Sequence, residues 1–257
     1  MKKKNSPFVT LVGAGPGDPE LISIAGVRAL KECNVVLYDA LVHPAVLDWA
    51  IGAKKIFVGK RKGYKRFTQN QINDLLVLNA FEHGNVVRLK GGDSFIFGRG
   101  SEEVAWVESY GISTRVIPGI SSSTSAPVTQ GIPLTLRGVS RGFWVLTATV
   151  EEDQLASDLE LAARSSATVV ILMGMSKLDK IAKIYNQLNK ADTPVSIVQN
   201  AYMPDQRSVI STMGSIVSVV KKEGISNPAV ITIGEVVNHH RSNTDAIEFH
   251  SLIKKVS

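Results

Sequence analysis

Cysteine is almost missing from this chain. Its one cysteine, Cys33, excludes an internal disulfide and any multi-cysteine metal site. Lying just before an apolar run, it reads as a buried structural thiol rather than a reactive one. The five histidines show no ligand spacing, and the adjacent His239-His240 pair sits in a polar tail, so no metal is expected. Long hydrophobic runs are missing as well. None approaches the roughly 18 residues of a membrane span, and the basic start Met1-Lys2-Lys3-Lys4-Asn5 is not followed by a signal-peptide apolar segment. No membrane partner is expected, and the expected location is cytoplasmic. Acidic charge is in deficit, with 23 Asp and Glu against 29 Lys and Arg, which gives a net charge of +6 and favours an anionic partner. The basic runs Lys54-Lys55, Lys60-Arg61-Lys62 and Lys65-Arg66 read either as part of that preference or as a solvated face. A basic nucleic-acid-binding module remains a distant alternative. No RNA or DNA motif accompanies the charge, so nucleic acid is not an expected partner.

What the chain does have is alternation. With 44% hydrophobic and 20% charged residues, 257 residues suffice for one large or two smaller folded domains. Apolar runs predict strands at Val9 to Val12, Asn34 to Tyr38, Lys55 to Val58, Val86 to Lys90 and Thr114 to Ile117. Helices are predicted between them, at Ile22 to Glu32, Pro44 to Ala50 and Gln69 to Glu82. Another is capped by Ser101, with Glu102 and Glu103 at its positive end. Strands alternating with helices predict a parallel sheet.

At Pro118 the texture changes, because proline, glycine, serine and threonine crowd the segment up to Pro133. A domain crossing is expected there, giving an N-terminal α/β domain over 1–118 and a C-terminal α/β domain over 119–257. In the second half, strands are predicted at Phe143 to Thr147, Thr168 to Met173, Val195 to Gln199 and Ala229 to Ile233, with helices near Gln154 to Ala163 and Lys177 to Asn189. The run Arg207 to Thr212 follows a polar turn closely and predicts a hairpin partner for the strand before it, which makes this sheet mixed.

Four strand exits are rich in glycine or serine: Gly13-Ala14-Gly15-Pro16-Gly17-Asp18-Pro19, Gly91-Gly92-Asp93, Pro118-Gly119-Ile120-Ser121-Ser122 and Met173-Gly174-Met175. Ligands of α/β sheets bind outside the carboxyl ends of the strands, and glycine lets a backbone approach a bound molecule closely. The first exit imitates a dinucleotide fingerprint but fails it. Asp18 stands where the third glycine belongs, and Pro16 and Pro19 stiffen the turn. A nicotinamide-binding Rossmann domain is therefore not expected.

In order and spacing these segments resemble the tetrapyrrole methylase family. The matching pieces are LVGAGPGDPELIS at Leu11 to Ser23, VVLYDALV at Val35 to Val42, GKR at Gly59 to Arg61 and QNQIN at Gln69 to Asn73. They continue with VVRLKGGDSFIFGRGSEE at Val86 to Glu103, IPGISS at Ile117 to Ser122, GIPLT at Gly131 to Thr135, ILMGM at Ile171 to Met175, PDQR at Pro204 to Arg207 and NPAVITIGEVV at Asn227 to Val237. The resemblance implies two α/β domains with a cofactor cleft between them, S-adenosylmethionine as cofactor with S-adenosylhomocysteine as product, and a homodimer. It implies methylation of an acidic tetrapyrrole, uroporphyrinogen III at C2 and C7, to give precorrin-2 for sirohaem and cobalamin. A fused dehydrogenase and ferrochelatase module, which some relatives carry, is not recognised here, so later steps are expected of other proteins.

Carried onto matching positions, the implied cofactor residues are Pro16, Gly91, Gly92, Asp93, Ile96, Ser121, Ser122, Met173 and Ala201, most of them acting through the backbone. Asp93 can equally cap its own loop. Asp39 is implied as the base that removes a proton after methyl transfer, and Lys60 as the proton donor. Asp39 can also cap the turn after its strand, and Lys60 can act as a carboxylate anchor. Carboxylates around a macrocycle call for a basic trough, for which Arg61, Arg88, Arg99 and Arg137 are candidates alongside Lys60. Arg88, inside a strand, is open to an internal ion pair instead. Four places depart from the usual family pattern: Ser94 where proline is typical, Leu136 for histidine, Thr147-Ala148-Thr149 for Thr-Gly-His, and Asn200-Ala201-Tyr202 for Asn-Gly-Thr. These keep another precorrin, or a non-tetrapyrrole substrate, open as an alternative.

Overall fold

A computed structural model describes residues 6–59, 67–148 and 152–240. It divides into two compact units, Met1–Ser122 and Ser123–Ser257.

The first unit is built on five strands: β1 (Phe8–Gly13), β2 (Val35–Tyr38), β3 (Lys54–Phe57), β4 (Asn85–Lys90) and β5 (Ser113–Ile117). They form one wholly parallel sheet in the order β3-β2-β4-β1-β5. A parallel sheet needs cover on both faces, and strand alternation supplies two apolar surfaces. Val12, Val36, Val87 and Leu89 face α1 (Ile24–Glu32) and the 3-10 turn Pro44–Trp49, where Leu30, Val46 and Leu47 are buried. Val9, Leu11, Val35, Leu37 and Val86 face α2 (Gln69–His83) and α3 (Gly100–Ser109), meeting Ile72, Leu76, Ala80 and Val107.

The helix ends follow local chemistry. Ser23 caps α1 by accepting from Gly26 N–H at 3.1 Å, so the helix starts two residues after the predicted Ile22. Thr68 and Gln71 form a reciprocal capping box on α2, which ends at Gly84 with φ +85°. The α3 start corrects the sequence reading. The cap is Arg99, in the left-handed region at φ +58°, and not Ser101.

In the second unit lie α4 (Ser122–Ser125, which bridges the division), β6 (Phe143–Thr147), α5 (Glu152–Arg164), β7 (Thr168–Leu172), α6 (Leu178–Gln187), β8 (Pro194–Gln199), β9 (Arg207–Thr212), α7 (Ile216–Glu223) and β10 (Ala229–Ile233). The sheet order is β6-β7-β10-β8-β9, with β6 and β7 parallel and the other pairs antiparallel. It is a mixed sheet, and β8 and β9 pair as the expected hairpin. One face buries Val169, Ile171, Val195, Ile197 and Ile231 against Leu159, Ile181, Tyr185 and Ile216 from the helices. On α6, Leu178, Ile181, Ala182 and Tyr185 are buried, and Leu188 just beyond its end is partly buried.

Candidate functional site

Strand order decides which exits become neighbours. β4, β1 and β5 are adjacent, so Gly91-Gly92-Asp93, Gly13 to Asp18 and Pro118 to Ser122 leave the carboxyl edge of the sheet side by side. β2, on the other flank of β4, brings Asp39 to the same edge.

The β1 and β4 exits are pinned together backbone to backbone, and the β5 exit packs closely against them. Gly92 N–H donates to the Gly15 carbonyl at 2.7 Å, and Gly15 N–H donates back to Gly92 at 3.2 Å. A Cβ added to Gly119 would lie 2.2 Å from the Gly92 oxygen, and one added to Gly13 would lie 2.5 Å from the Gly119 nitrogen. No other residue fits at those two positions without moving the chain. Gly92 differs. Its φ is +65°, but a Cβ there would meet only the Ser122 nitrogen at 3.8 Å, so a shallow open cradle lies over its backbone. A group that binds through main-chain contacts fits such a surface.

Asp93 ties this arrangement. Its Oδ1 accepts from Phe95 N–H at 2.8 Å and its Oδ2 accepts from Gly119 N–H at 2.9 Å, joining the β4 exit to the β5 exit. The carboxylate is first of all the clamp that holds two loops in register. Pro16, Ser121 and Ser122 lie half-buried around it, and Ile96 is exposed.

Asp39 caps its own turn through Oδ1, which accepts from Leu41 N–H at 3.1 Å. Its Oδ2 lies 3.7 Å from Arg88 Nη2, and the side chain keeps 24% exposure. Both sequence readings of Asp39 are thus compatible with one geometry, since one oxygen caps and the other stays outside the cap.

Arg88 does not line a surface. It is 3% exposed; Nε donates to Glu103 Oε1 at 3.2 Å, and Nη1 donates to the carbonyls of Leu89 at 3.0 Å and Leu37 at 3.4 Å. The internal ion pair replaces the trough role expected of it. Lys90, on the same face of β4, donates to the same Glu103 oxygen at 3.1 Å. Burial and the neighbouring Arg88 push its pKa below the ordinary lysine value, against the opposing pull of Glu103. Glu103, read from sequence as a complement to the α3 dipole, is fully buried and belongs to this array. Sequence reasoning missed the array, yet carried its signal: Arg88 and Lys90 alternate within an otherwise apolar strand, which demands a buried counter-charge from a facing element.

Arg99 is exposed and held by Glu102, with Nε to Oε1 at 3.0 Å and Nη2 to Oε2 at 2.6 Å. That pairing raises the Arg99 pKa and lowers that of Glu102. Arg137 is exposed in the turn closed by the Leu136–Ser140 bridge. Lys60 and Arg61 lie outside the described residues.

In the second unit, β10 runs antiparallel between β7 and β8, so Met173 and Asn200 to Tyr202 emerge at the same sheet edge. Met173, Asn200 and Tyr202 have φ of +57°, +50° and +63°. Together with Phe97 and Arg99 they make five of the six described non-glycine residues with positive φ, the sixth being Asn189 at the end of α6. Strain of this kind concentrates where loops shape ligand sites. Ala201 is buried with Val170, Val198 and Val230, which leaves its backbone as the part able to contact a ligand. Among the described residues no group of three metal-ligating side chains occurs, and no helix is long and apolar enough to cross a membrane.

Comparison with known proteins agrees with these features. The family of tetrapyrrole (corrin/porphyrin) methylases matches residues 9–217. The chain is 46% identical over 233 residues to a uroporphyrinogen-III C-methyltransferase of Methanocaldococcus jannaschii, covering 90% of this chain and 96% of that one. A crystal structure of uroporphyrin-III C-methyl transferase from Thermus thermophilus complexed with S-adenosylhomocysteine superposes with a TM-score of 0.76 at 39% identity, covering 90% of this chain and 98% of that one. A cobalt precorrin-4 methyltransferase shares the fold, with a TM-score of 0.80 at 24% identity over 92% of this chain and 98% of that one.

Proposed function

We propose that this chain, which belongs to the tetrapyrrole (corrin/porphyrin) methylase family, transfers methyl groups from S-adenosylmethionine to C2 and C7 of uroporphyrinogen III. The product would be precorrin-2, the branch compound for sirohaem and cobalamin. The observation that carries this reading is the joining of the β1, β4 and β5 exits into one glycine-rich cradle with Asp39 on the same sheet edge. Relatives named for this substrate match the chain nearly end to end.

Bound S-adenosylmethionine supplies an electrophilic sulfonium methyl and leaves as S-adenosylhomocysteine. The chain's part is to hold and orient. Backbone groups of Pro16, Gly91, Gly92, Ser121 and Ser122, with the Ile96 side chain, are assigned as cofactor contacts, as are Met173 and Ala201. Asp93 acts indirectly, by fixing the cradle. Positioning a pyrrole carbon in line with the methyl group supplies much of the acceleration, since the displacement needs no covalent enzyme intermediate. As the new C–C bond forms the S–C bond breaks, and the methylated ring then gives up a proton. Asp39 Oδ2 is assigned to take it. Lys60 is assigned as proton donor, and Arg61, Arg99 and Arg137 as anchors for the acetate and propionate rim. Arg99 reaches such a carboxylate by exchanging it for Glu102. A homodimer in the cytoplasm belongs to the same reading.

A second reading, methylation of another precorrin, is favoured by the departures at Leu136, Thr147-Ala148-Thr149 and Asn200-Ala201-Tyr202. Incubation under anaerobic conditions with labelled S-adenosylmethionine separates the two. Label should enter uroporphyrinogen III, and label entering only a more highly methylated precorrin would favour the second reading.

A further inference from the structure

Methyl transfer as described leaves one buried feature unused, the array of Arg88, Lys90 and Glu103 under the carboxyl edge of the first sheet. Glu103 is completely buried, and its Oε1 accepts three donors: Gln69 Nε2 at 3.0 Å, Lys90 Nζ at 3.1 Å and Arg88 Nε at 3.2 Å. Its Oε2 is buried without a hydrogen-bond partner among the described residues. Apolar side chains of similar volume commonly stabilise a fold as well as a buried charge array or better. An orphaned carboxylate oxygen weighs further against stability as the reason for this one.

Geometry supplies another reason. The Arg88 guanidinium is fixed on two sides, by Glu103 through Nε and by the Leu37 and Leu89 carbonyls through Nη1, which leaves Nη2 presented to Asp39. At 3.7 Å this contact is looser than the roughly 2.7–2.9 Å of a charge-assisted hydrogen bond. A close ion pair with a guanidinium favours the ionised form of a carboxylate and opposes its taking up a proton.

We propose that Glu103 is a positioning residue for Asp39, acting through Arg88. It restrains the guanidinium so that Asp39 is oriented without being locked into a tight ion pair. Lys90 compensates the second half of the charge balance. This inference rests on the reading of Asp39 as the proton acceptor, and the test separates the two.

The experiment is a double-mutant cycle on the full chain, combining Glu103→Gln with Asp39→Asn. It reads single-turnover methylation of uroporphyrinogen III by radiolabel and S-adenosylhomocysteine affinity by calorimetry. Glu103→Gln should lower the single-turnover rate by about tenfold or more, with cofactor affinity held within about twofold. In the Asp39→Asn background its further effect should shrink to less than about twofold, because the residue it serves is gone. Glu103→Asp, which keeps the charge, should recover part of the rate. Equal losses in both backgrounds, or a rate loss that follows cofactor affinity, would overturn the positioning role while leaving Asp39 in place. An Asp39→Asn enzyme of unchanged rate would remove the base assignment and this proposal with it. If Glu103→Gln does not fold, Lys90→Met/Glu103→Gln, which removes one charge of each sign, enters the same cycle with the same expectation.

Discussion

Asp93 ties two loops together. Its two oxygens accept backbone N–H groups from Phe95 and Gly119, and hydrogen bonds to a charged acceptor contribute roughly 1.5–3 kcal/mol each. Asp93→Ala is therefore expected to lower unfolding free energy in urea by about 2 kcal/mol or more and to weaken S-adenosylhomocysteine binding, because the β5 exit loses its tie to β4. Unchanged stability would show that the clamp is slack. Cys33 makes the opposite case, a residue with chemistry that its setting suppresses. Burial pushes its thiol up to about 11, so little nucleophilic thiolate exists near neutrality. Thiol reagents should modify it slowly in the native protein at pH 8 and rapidly in denaturant. Because the folded-state value lies above the ordinary one of 9.0, this group's contribution to stability is complete below pH 9 and is lost as pH rises towards about 11. Arg88 was open from sequence to two roles, and the choice between them depended on Glu103, fifteen positions away. No local pattern states which helix face meets which strand face. A first-turn glutamate that complements a helix dipole looks the same in sequence as one that neutralises a buried arginine.

Elements show a different balance of what was legible. Buried parallel strands such as β1 and β4 are continuous apolar runs, and the strands of both sheets are readable from pattern alone. Three features were not. Helix α3 begins at a left-handed Arg99, a conformation that no side-chain preference announces. The expected short helix after β2 is a 3-10 turn over Pro44–Trp49. Helix α7, with β-branched Ile216, Val217, Val219 and Val220, carries weak helix propensity; burial of Ile216 and the left-handed Gly224 cap, at φ +63°, accompany it instead. The glycine-rich exits were legible one by one, while their adjacency is a product of strand order. That adjacency can be tested at Gly119. An alanine Cβ there would sit 2.2 Å from the Gly92 oxygen, forcing the β5 exit away from β4. Gly119→Ala should reduce S-adenosylhomocysteine affinity by about tenfold or more, the scale of one lost backbone alignment at roughly 1.4 kcal/mol per decade. Retained affinity in calorimetry would mean that the three exits do not act as one cradle.

For the whole molecule, the chain is made of two units with different sheets, one parallel and one mixed. The first holds the pinned glycine exits, Asp39 and the buried array beneath it; the second offers the strained turns at Met173 and at Asn200 to Tyr202. Specificity for the macrocycle is assigned to exposed basic side chains and to the loops that depart from the family pattern, which is why substrate was harder to read from sequence than cofactor. A glycine cradle marks itself in the sequence, whereas a carboxylate-binding rim needs only arginines, whose planar fork suits carboxylates wherever they stand. The most direct test of the central claim is anaerobic turnover of uroporphyrinogen III with S-adenosylmethionine carrying a ¹³C methyl group, followed by NMR of the product. The account predicts two labelled methyl groups on the macrocycle, at C2 and C7. Absence of label, or label only at other ring positions, would contradict it.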